Sequence, residues 1–326
     1  MVEAAHFART FHKPKQTMNS VSVFAPASVA NVAVGFDILG FALDRPGDEI
    51  VARFSDKPGL RITRITGDGG KLSMDTQKNT ASFSAYKLLE HLGENEWGID
   101  MEIHKKMPFG SGLGSSAASA VGGVMAVNEL LGGRLSKREI LHFAVLGEQL
   151  ADGAYHADNV APSLFGGIVL IRSNRDLDVH NIPVPDGLYA SVLYPEVEVL
   201  TRDARAILKK EVPLSATIEQ CGNLAGFMVG LYNSDFGLLS RSLHDVIIEP
   251  QRAQLIPHFY ATKAAALNAG ALGCSISGAG PSIFALSSSR AIAENVGIAM
   301  EKIYLEENIN CQLFVSPINQ QGAIRL

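Results

Sequence analysis

The segment of the sequence best suited to chemistry is a loop rich in glycine and serine, PFGSGLGSS, at residues 108–116. Alternating apolar residues typical of a strand precede the loop, and small residues typical of a packed helix follow it. Glycines let backbone N–H groups approach an anion closely, and a helix start adds unpaired donors and the positive end of its dipole. Serine hydroxyls can bind a phosphate or a metal ion. The loop therefore predicts a site for the phosphates of a nucleotide.

Two other phosphate-binding motifs fit this loop less well. A Walker A loop ends in Gly-Lys-Ser/Thr, and no lysine stands at that position here. The dinucleotide pattern GxGxxG is approached by Gly112, Gly114 and Ala117, but no acidic residue ends a second strand ~20 residues further on. A flexible turn before a helix of small residues stays open as a purely structural alternative.

A carboxylate is placed near the loop by helical periodicity. Ser136 and Glu139 have the spacing of a capping box, which predicts a helix that begins there and runs to about Asp152. The apolar stripe that starts at Leu141 puts Glu148 at the end of an apolar face. A buried carboxylate needs a partner or a metal ion. Exposure of Glu148 at a frayed helix end is the alternative.

Apolar periodicity predicts the elements that must hold these residues. Strands are predicted at residues 20–25, 38–43, 49–54, 97–105, 164–171, 188–193, 274–277, 283–286 and 312–315. Helices are predicted at 79–92, 117–131, 136–152, 215–233, 257–269 and 291–306. Strands and helices intermix without a strict βαβ repeat, so the fold class is predicted to be α+β.

Length and composition predict two domains. A chain of 326 residues exceeds what one hydrophobic core usually serves. A polar, proline-containing stretch between about residues 172 and 186 marks the boundary, which gives an N-terminal domain at 18–175 and a C-terminal domain at 176–326. Residues 1–17 differ in character from the rest and are predicted to be a disordered leader.

Charge and cysteine usage exclude several classes of protein. The net charge is −5 with no basic cluster, which argues against a nucleic-acid partner. The three cysteines are widely spaced and form no CxxC pair, so neither a zinc site nor a disulfide framework is expected. This pattern predicts a reducing, cytoplasmic location. The sequence contains no uninterrupted run of about 18 apolar residues, so no transmembrane helix is predicted.

The loop and two further motifs resemble a known family. PFGSGLGSSAAS resembles the second signature of the GHMP kinases, which include galactokinase and the homoserine, mevalonate and phosphomevalonate kinases. Residues 26–37 resemble the first signature and residues 277–282 the third. The resemblance implies an ATP-dependent kinase that phosphorylates a hydroxyl group. It also implies an N-terminal domain like a ribosomal protein and a ferredoxin-like C-terminal domain.

Further segments resemble the homoserine kinase branch, which implies L-homoserine as substrate on the way to threonine. These segments are AYHADNVAP at 154–162, TRDAR at 201–205 and IEPQR at 248–252. The implied substrate contacts are Asn31, Asp37, His156, Thr201, Arg205 and Arg252. Taken singly, these residues are also explained by turn chemistry or by solvated surface charge.

The same resemblance assigns the nucleotide and the metal. The implied ATP contacts are Asn79, Pro108, Gly110, Ser111, Gly112, Leu113, Gly114, Ser115 and Ser116. Ser116 and Glu148 would hold Mg²⁺, which needs few protein ligands when phosphates and waters supply the rest. Asn79 also fits a plain helix N-cap.

One position separates this chain from other branches of the family. Asn159 stands where mevalonate kinase and galactokinase place an aspartate base, and an amide cannot accept a proton. Catalysis would then rest on positioning and charge stabilisation by Asn159, Glu148 and Ser116, with Asp158 left open as a base.

Several functions stay open beside this one. The alternatives are a mevalonate or sugar kinase, a nucleotide-binding sensor without catalysis, and a small-molecule carrier. A homodimer is expected because most oligomers of soluble proteins are symmetric dimers.

Overall fold

The computed structural model describes residues 19–326, so the predicted leader at 1–17 lies outside the described residues. The strands are β1 (Ser20–Ala30), β2 (Leu39–Phe54), β3 (Leu60–Thr66), β4 (Ile99–His104), β5 (Ile168–Ser173), β6 (Asp178–Ile182), β7 (Tyr189–Pro195), β8 (Gly273–Ile276), β9 (Ile283–Ser287), β10 (Cys311–Pro317) and β11 (Ile324–Arg325). The helices are α1 (Thr80–Leu92), α2 (Ser115–Leu130), α3 (Lys137–Asp152), α4 (Val160–Phe165), α5 (Thr201–Ala206), α6 (Leu214–Asn233), α7 (Phe236–Ser242), α8 (Glu249–Arg252), α9 (Phe259–Asn268) and α10 (Arg290–Glu306). The mixture confirms the predicted α+β class.

The first sheet carries the N-terminal half of the chain. Its strands follow the order β11-β1-β2-β4-β3, and β5 extends it from β2 and pairs with β6. Helices α1, α2 and α3 pack against one another, and α2 packs on β1 and β2. A Cβ atom at Gly123 of α2 would lie 2.0 Å from the carbonyl oxygen of Ala81, so glycine lets α1 and α2 approach closely.

The second sheet has the strand order of a ferredoxin-like fold. Its order is β10-β7-β9-β8, and every neighbouring pair is antiparallel. In chain order this is the arrangement 4-1-3-2, with α10 between the last two strands as the crossover helix. Helices α5 to α9 lie between β7 and β8 in the chain. The predicted ferredoxin-like C-terminal half is therefore confirmed.

Three predicted boundaries are wrong. The first strand does not end at Pro26 but continues to Ala30, because a register shift between Pro26 and Ser28 accommodates the proline. The strands predicted at 38–43 and 49–54 are one long strand, β2. The strand predicted at 164–171 begins too early, because residues 164 and 165 are the last two of α4, which ends at Gly166, where φ is +77°.

The sheet pairing bears on the predicted division of the chain. β6 begins after residue 175 but pairs with β5 in the first sheet. At the other end of the chain, β11 returns to pair with β1. The domain boundary at 175/176 stays a prediction. The first sheet contains strands from both sides of that boundary. Among residues 19–326, no helix is both long and apolar enough to span a membrane.

Candidate active site

A cleft of about 360 Å³ opens where the first motif, the glycine loop and the β8–β9 turn meet. It collects most of the residues that the sequence singled out. Those lining it are Asn31, Asp37, Asn79, Gly110, Ser111, Gly112, Gly114, Ser115, Ser116, Glu148, His156, Asn159, Thr201, Arg205 and Arg252. Asp158, left open as a base, also lines the cleft.

The glycine loop has a backbone that only glycine adopts readily. Gly110, Gly112 and Gly114 have φ values of +60°, +77° and +64°. A Cβ atom at Gly112 would lie 2.5 Å from the carbonyl oxygen of Ser277, so the loop is pressed against the β8–β9 turn. The Ser277 hydroxyl donates a hydrogen bond to the Gly112 carbonyl at 2.6 Å. The second and third motifs therefore form one continuous wall.

Two predicted loop contacts do not line the cleft. The Leu113 side chain is completely buried in the hydrophobic core, and its carbonyl accepts a hydrogen bond from the Ser28 N–H. The carbonyl of Pro108 accepts a hydrogen bond from the Ser111 hydroxyl at 2.9 Å. In this structure both residues shape the loop.

The residues predicted to hold the metal lie side by side. Ser116 lies in the first turn of α2, and its hydroxyl donates to Glu148 Oε1 at 2.9 Å. Glu148 is only 6% exposed, so the alternative of a frayed, exposed helix end is wrong. Adjacent ligands on an octahedral Mg²⁺ with bonds of 2.0–2.1 Å lie about 2.9 Å apart. The two oxygens thus have the right chemistry and separation for one Mg²⁺ ion.

Also in the cleft, Asp37 is held by an arginine. Arg205 on α5 donates two hydrogen bonds of 3.0 Å to the two carboxylate oxygens of Asp37. Asn31 fixes the backbone beneath, because its Oδ1 accepts from the Asp37 N–H at 3.0 Å. His156 Nδ1 lies 3.8 Å from Asp37 Oδ2. The backbone at Asn31 and Asp37 has positive φ, +71° and +60°, an uncommon conformation that recurs at functional sites.

A second arginine lies behind the first. Arg252 is 3% exposed and donates to the carbonyl oxygens of Ala204 and Gly278 at 3.0 and 2.9 Å. The Phe36 ring lies 4.9 Å from the Arg252 guanidinium and 5.7 Å from that of Arg205. Burial, and then repulsion from Arg205, lower the pKa of Arg252 to about 10. Arg252 is therefore not a solvated surface charge, and an anion near both guanidinium groups would relieve their repulsion.

Asn159 faces the cleft from the residue before α4. Its Oδ1 accepts a hydrogen bond from the Ser28 hydroxyl at 2.9 Å, so the amide oxygen is already engaged. A Cβ atom at Gly114 would lie 2.1 Å from Ser28 Oγ and 2.9 Å from Asn159 Oδ1. Asn159 thus lies directly against the phosphate loop.

Two interpretations of Asn79 were open, a helix N-cap and an adenine contact. Its Oδ1 accepts from the Ala81 N–H as the N-cap of α1, and its Nδ2 donates to the Ser73 carbonyl at 3.0 Å. It also lines the cleft, next to Lys78 and Thr80. The N-cap role is confirmed, and the adenine contact stays a prediction.

Some residues in the cleft or directly beside it were not predicted. Ser28, which holds Asn159, and Phe36, between the two arginines, both lie within the first motif. Only Asn31 and Asp37 of that motif were predicted to contact a ligand. Lys105 stands three residues before the loop, at the end of a predicted strand. A lysine so close to a phosphate loop is a signal that the sequence does contain.

Two family models match the chain, one for each half. The GHMP kinase N-terminal domain matches residues 79–167, and the GHMP kinase C-terminal domain matches residues 227–304. The chain is similar to the homoserine kinase of Chlorobium phaeobacteroides, with 48% identity over 94% of this chain and 99% of that protein. The homoserine kinase of Xylella fastidiosa is 40% identical, over 94% of each chain.

Solved structures agree with these matches. The crystal structure of homoserine kinase from Cytophaga hutchinsonii superposes with a TM-score of 0.93 at 54% identity, over 97% of this chain and all of that one. The mevalonate kinase of L. major superposes with a TM-score of 0.70 at 17% identity, over 94% of this chain and 99% of that one. The second likeness extends to the fold alone.

Proposed function

The chain belongs to the homoserine kinases of the GHMP family, and from this membership we propose that it transfers the γ-phosphoryl group of ATP to the hydroxyl of L-homoserine. The product is O-phospho-L-homoserine, an intermediate on the way to threonine. The observation that supports this acceptor is the pairing of Asp37 with Arg205 in the cleft. A zwitterionic amino acid needs one anion and one cation placed close together, and these two residues supply them.

The phosphate loop is proposed to hold the nucleotide. Its glycines and the N-terminus of α2 turn backbone N–H groups toward the cleft, and the dipole of α2 favours the negative charge of the phosphates. Asn79 and its neighbours line the cleft near α1 and are proposed to contact the adenine. Within the structure, the buried hydroxyl of Ser115 has no hydrogen-bond partner, which suits a phosphate oxygen.

Mg²⁺ is proposed to bind through Ser116 and Glu148. When bound, Mg²⁺ would neutralise charge on the transferring phosphoryl group. The pair of protein oxygens leaves the remaining ligand positions to phosphates and waters, as is usual for this ion.

The acceptor is proposed to lie between the two arginines and Asp37. Its ammonium would face Asp37, and its carboxylate would face Arg205 and Arg252. Thr201, the first residue of α5, and His156 line the same end of the cleft. His156 Nδ1 is buried without a hydrogen-bond partner among the described residues and lies 3.8 Å from Asp37 Oδ2, so it is proposed to contact the amino acid near Asp37.

The proton of the hydroxyl is proposed to leave without a base at Asn159. Because Ser28 engages the amide oxygen, the Nδ2 group of Asn159 is the part left to donate to a phosphate or hydroxyl oxygen. Rate acceleration would come from alignment of the two reactants and from stabilisation of charge. Asp158 lies next to it at 6% exposed and is the one carboxylate proposed as an alternative base.

A homodimer is also proposed. α6 exposes four large apolar side chains, Leu214, Ile218, Val229 and Tyr232. Glu219 is the only charged residue along its 20 positions, and interface cores are depleted of charge. A second copy of the chain would cover this face, and sedimentation of the purified protein tests it. The cytoplasmic location stays a prediction from the cysteine pattern.

A panel of acceptors tests the proposed reaction. Release of ADP from MgATP is measured with L-homoserine, L-threonine, L-serine, mevalonate, galactose and no acceptor. Selective turnover of homoserine is expected. Turnover of mevalonate or galactose instead would contradict the acceptor assignment, and ATP binding without turnover of any acceptor would favour a sensor.

A further inference from the structure

A buried ion pair lies directly beneath the phosphate loop and takes no part in the proposed reaction. Lys105 follows β4 and Asp48 lies in β2, and their side chains are 1% and 0% exposed. Burial lowers the pKa of Lys105 and raises the pKa of Asp48, so each charge depends on its partner. A buried pair adds little stability over apolar residues of similar volume. Its significance is therefore to be sought in what it contacts.

All three N–H donors of the Lys105 ammonium are engaged by protein atoms. One bonds the Asp48 carboxylate, one the Ser119 hydroxyl at 2.7 Å and one the Ser115 carbonyl oxygen at 2.8 Å. Asp48 is held in turn by the Lys106 N–H at 2.9 Å. An ammonium has three donors, so Lys105 has none left for a nucleotide. It acts on the phosphate loop through its neighbours.

The contact with the Ser115 carbonyl has a direct geometric consequence. In a trans peptide the C=O and the following N–H point in opposite directions. Because the Ser115 carbonyl points to Lys105, the N–H of Ser116 points the other way. This N–H belongs to the first turn of α2, where backbone donors have no partner within the helix. The hydroxyl of the same residue bonds Glu148.

We propose that Lys105, held by Asp48, is a positioning residue that orients the Ser115–Ser116 peptide and so fixes the donors and the metal-binding hydroxyl of the phosphate site. The proposal rests on the proposed use of this loop for MgATP. Lys105 stabilises the orientation of one peptide without touching substrate. The side chains proposed to bind homoserine lie on other elements than Lys105.

The test replaces both members of the pair, because Lys105→Met alone would leave a buried, unpaired carboxylate. The double variant D48N/K105M removes both charges and keeps an amide oxygen that can accept from the Lys106 N–H. Lys106→Met is the matched control, since this neighbouring lysine is 52% exposed and pairs with Glu49 at the surface. KM for MgATP, KM for homoserine, the Mg²⁺ requirement and Tm are measured for each protein.

The double variant is expected to raise the KM for MgATP and the Mg²⁺ concentration needed for half-maximal rate by about 10- to 100-fold, the range for groups that orient metal ligands. KM for homoserine should stay within about twofold of the wild type. Lys106→Met should behave as wild type. A lower Tm with both KM values unchanged would show a purely structural pair and overturn the proposal, and so would an equal rise in both KM values.

Binding of MgADP by calorimetry separates this proposal from the proposed reaction. The measurement needs no acceptor, so it stands even if homoserine is not the substrate. Weaker MgADP binding by D48N/K105M than by Lys106→Met supports the positioning role. Equal binding by the two variants would overturn it, whatever acceptor the wild-type enzyme uses.

Discussion

Asp37→Asn is the substitution that most directly tests the acceptor end of the cleft. The change keeps the size of the side chain but removes the negative charge proposed to face the ammonium of homoserine. Asp37 lines the cleft, with Arg205 and His156 beside its carboxylate. We therefore expect a rise in KM for homoserine and no change in KM for MgATP.

The size of the effect follows from two opposing changes. The ammonium loses a hydrogen bond to a charged group, worth about 1.5–3 kcal/mol. The free enzyme also loses the Asp37–Arg205 pair, whose side chains are 20% and 36% exposed. A pair this accessible to water contributes about 0–1 kcal/mol, and its loss offsets part of the first change. The net loss of about 0.5–3 kcal/mol corresponds to a rise in KM of about 2- to 150-fold.

The assay follows ADP release while one substrate is varied and the other is saturating. Asp203→Asn is the matched control, because Asp203 lies on α5 beside the cleft residues but is 54% exposed and pairs with Arg202. The control should leave both KM values unchanged. An unchanged KM for homoserine together with a raised KM for MgATP would refute the assignment of Asp37 to the acceptor.

Three further predictions concern the metal, the loop and the thiols. Glu148→Gln removes a proposed metal ligand's charge, so the Mg²⁺ needed for half-maximal rate should rise about tenfold or more; an unchanged magnesium titration would contradict the site. Gly114→Ala should lower the free energy of unfolding, measured in urea, by about 1–3 kcal/mol, because φ is +64° and the added Cβ would meet Ser28 Oγ. An unchanged free energy of unfolding would contradict this prediction and show that the loop relaxes. Burial raises the pKa of the Cys274 thiol to about 12. Iodoacetamide at about pH 8 should therefore spare Cys274 and alkylate the exposed Cys221, as peptide mass spectrometry would show. Alkylation of Cys274 in the native protein would contradict its burial.

Local signals predicted the long helices well. The capping box of Ser136 and Glu139 is present, and Asn79 caps α1 as its position predicted. Strands β3 and β6 were not predicted, because they are partly exposed and rich in polar residues. β11 has two residues and forms only through its distant partner β1. Such strands are defined by pairing, which a window of neighbouring residues does not contain.

The residues of the site also fall into those that local sequence signals predicted and those that depend on distant contacts. The phosphate loop was predicted from its own residues, since glycines and serines act there through local backbone geometry. Ser28 and Asn159 are 131 residues apart, so their hydrogen bond has no local signature. Arg252 alone would have been taken for a surface charge, and only its resemblance to a family motif pointed to the cleft. Burial against Phe36 depends on how the two halves of the chain pack.

The pairing of β11 with β1 has a consequence during synthesis. Phe24 lies opposite Ile324, so β1 receives this neighbour only after about 300 further residues have been synthesised. Until then one edge of β1 offers unpaired N–H and C=O groups to any other extended chain. A chain truncated before Ile324 would leave that edge without this partner. We expect such a product to associate through β1 and to be recovered in aggregates, although every residue of the cleft is present in it.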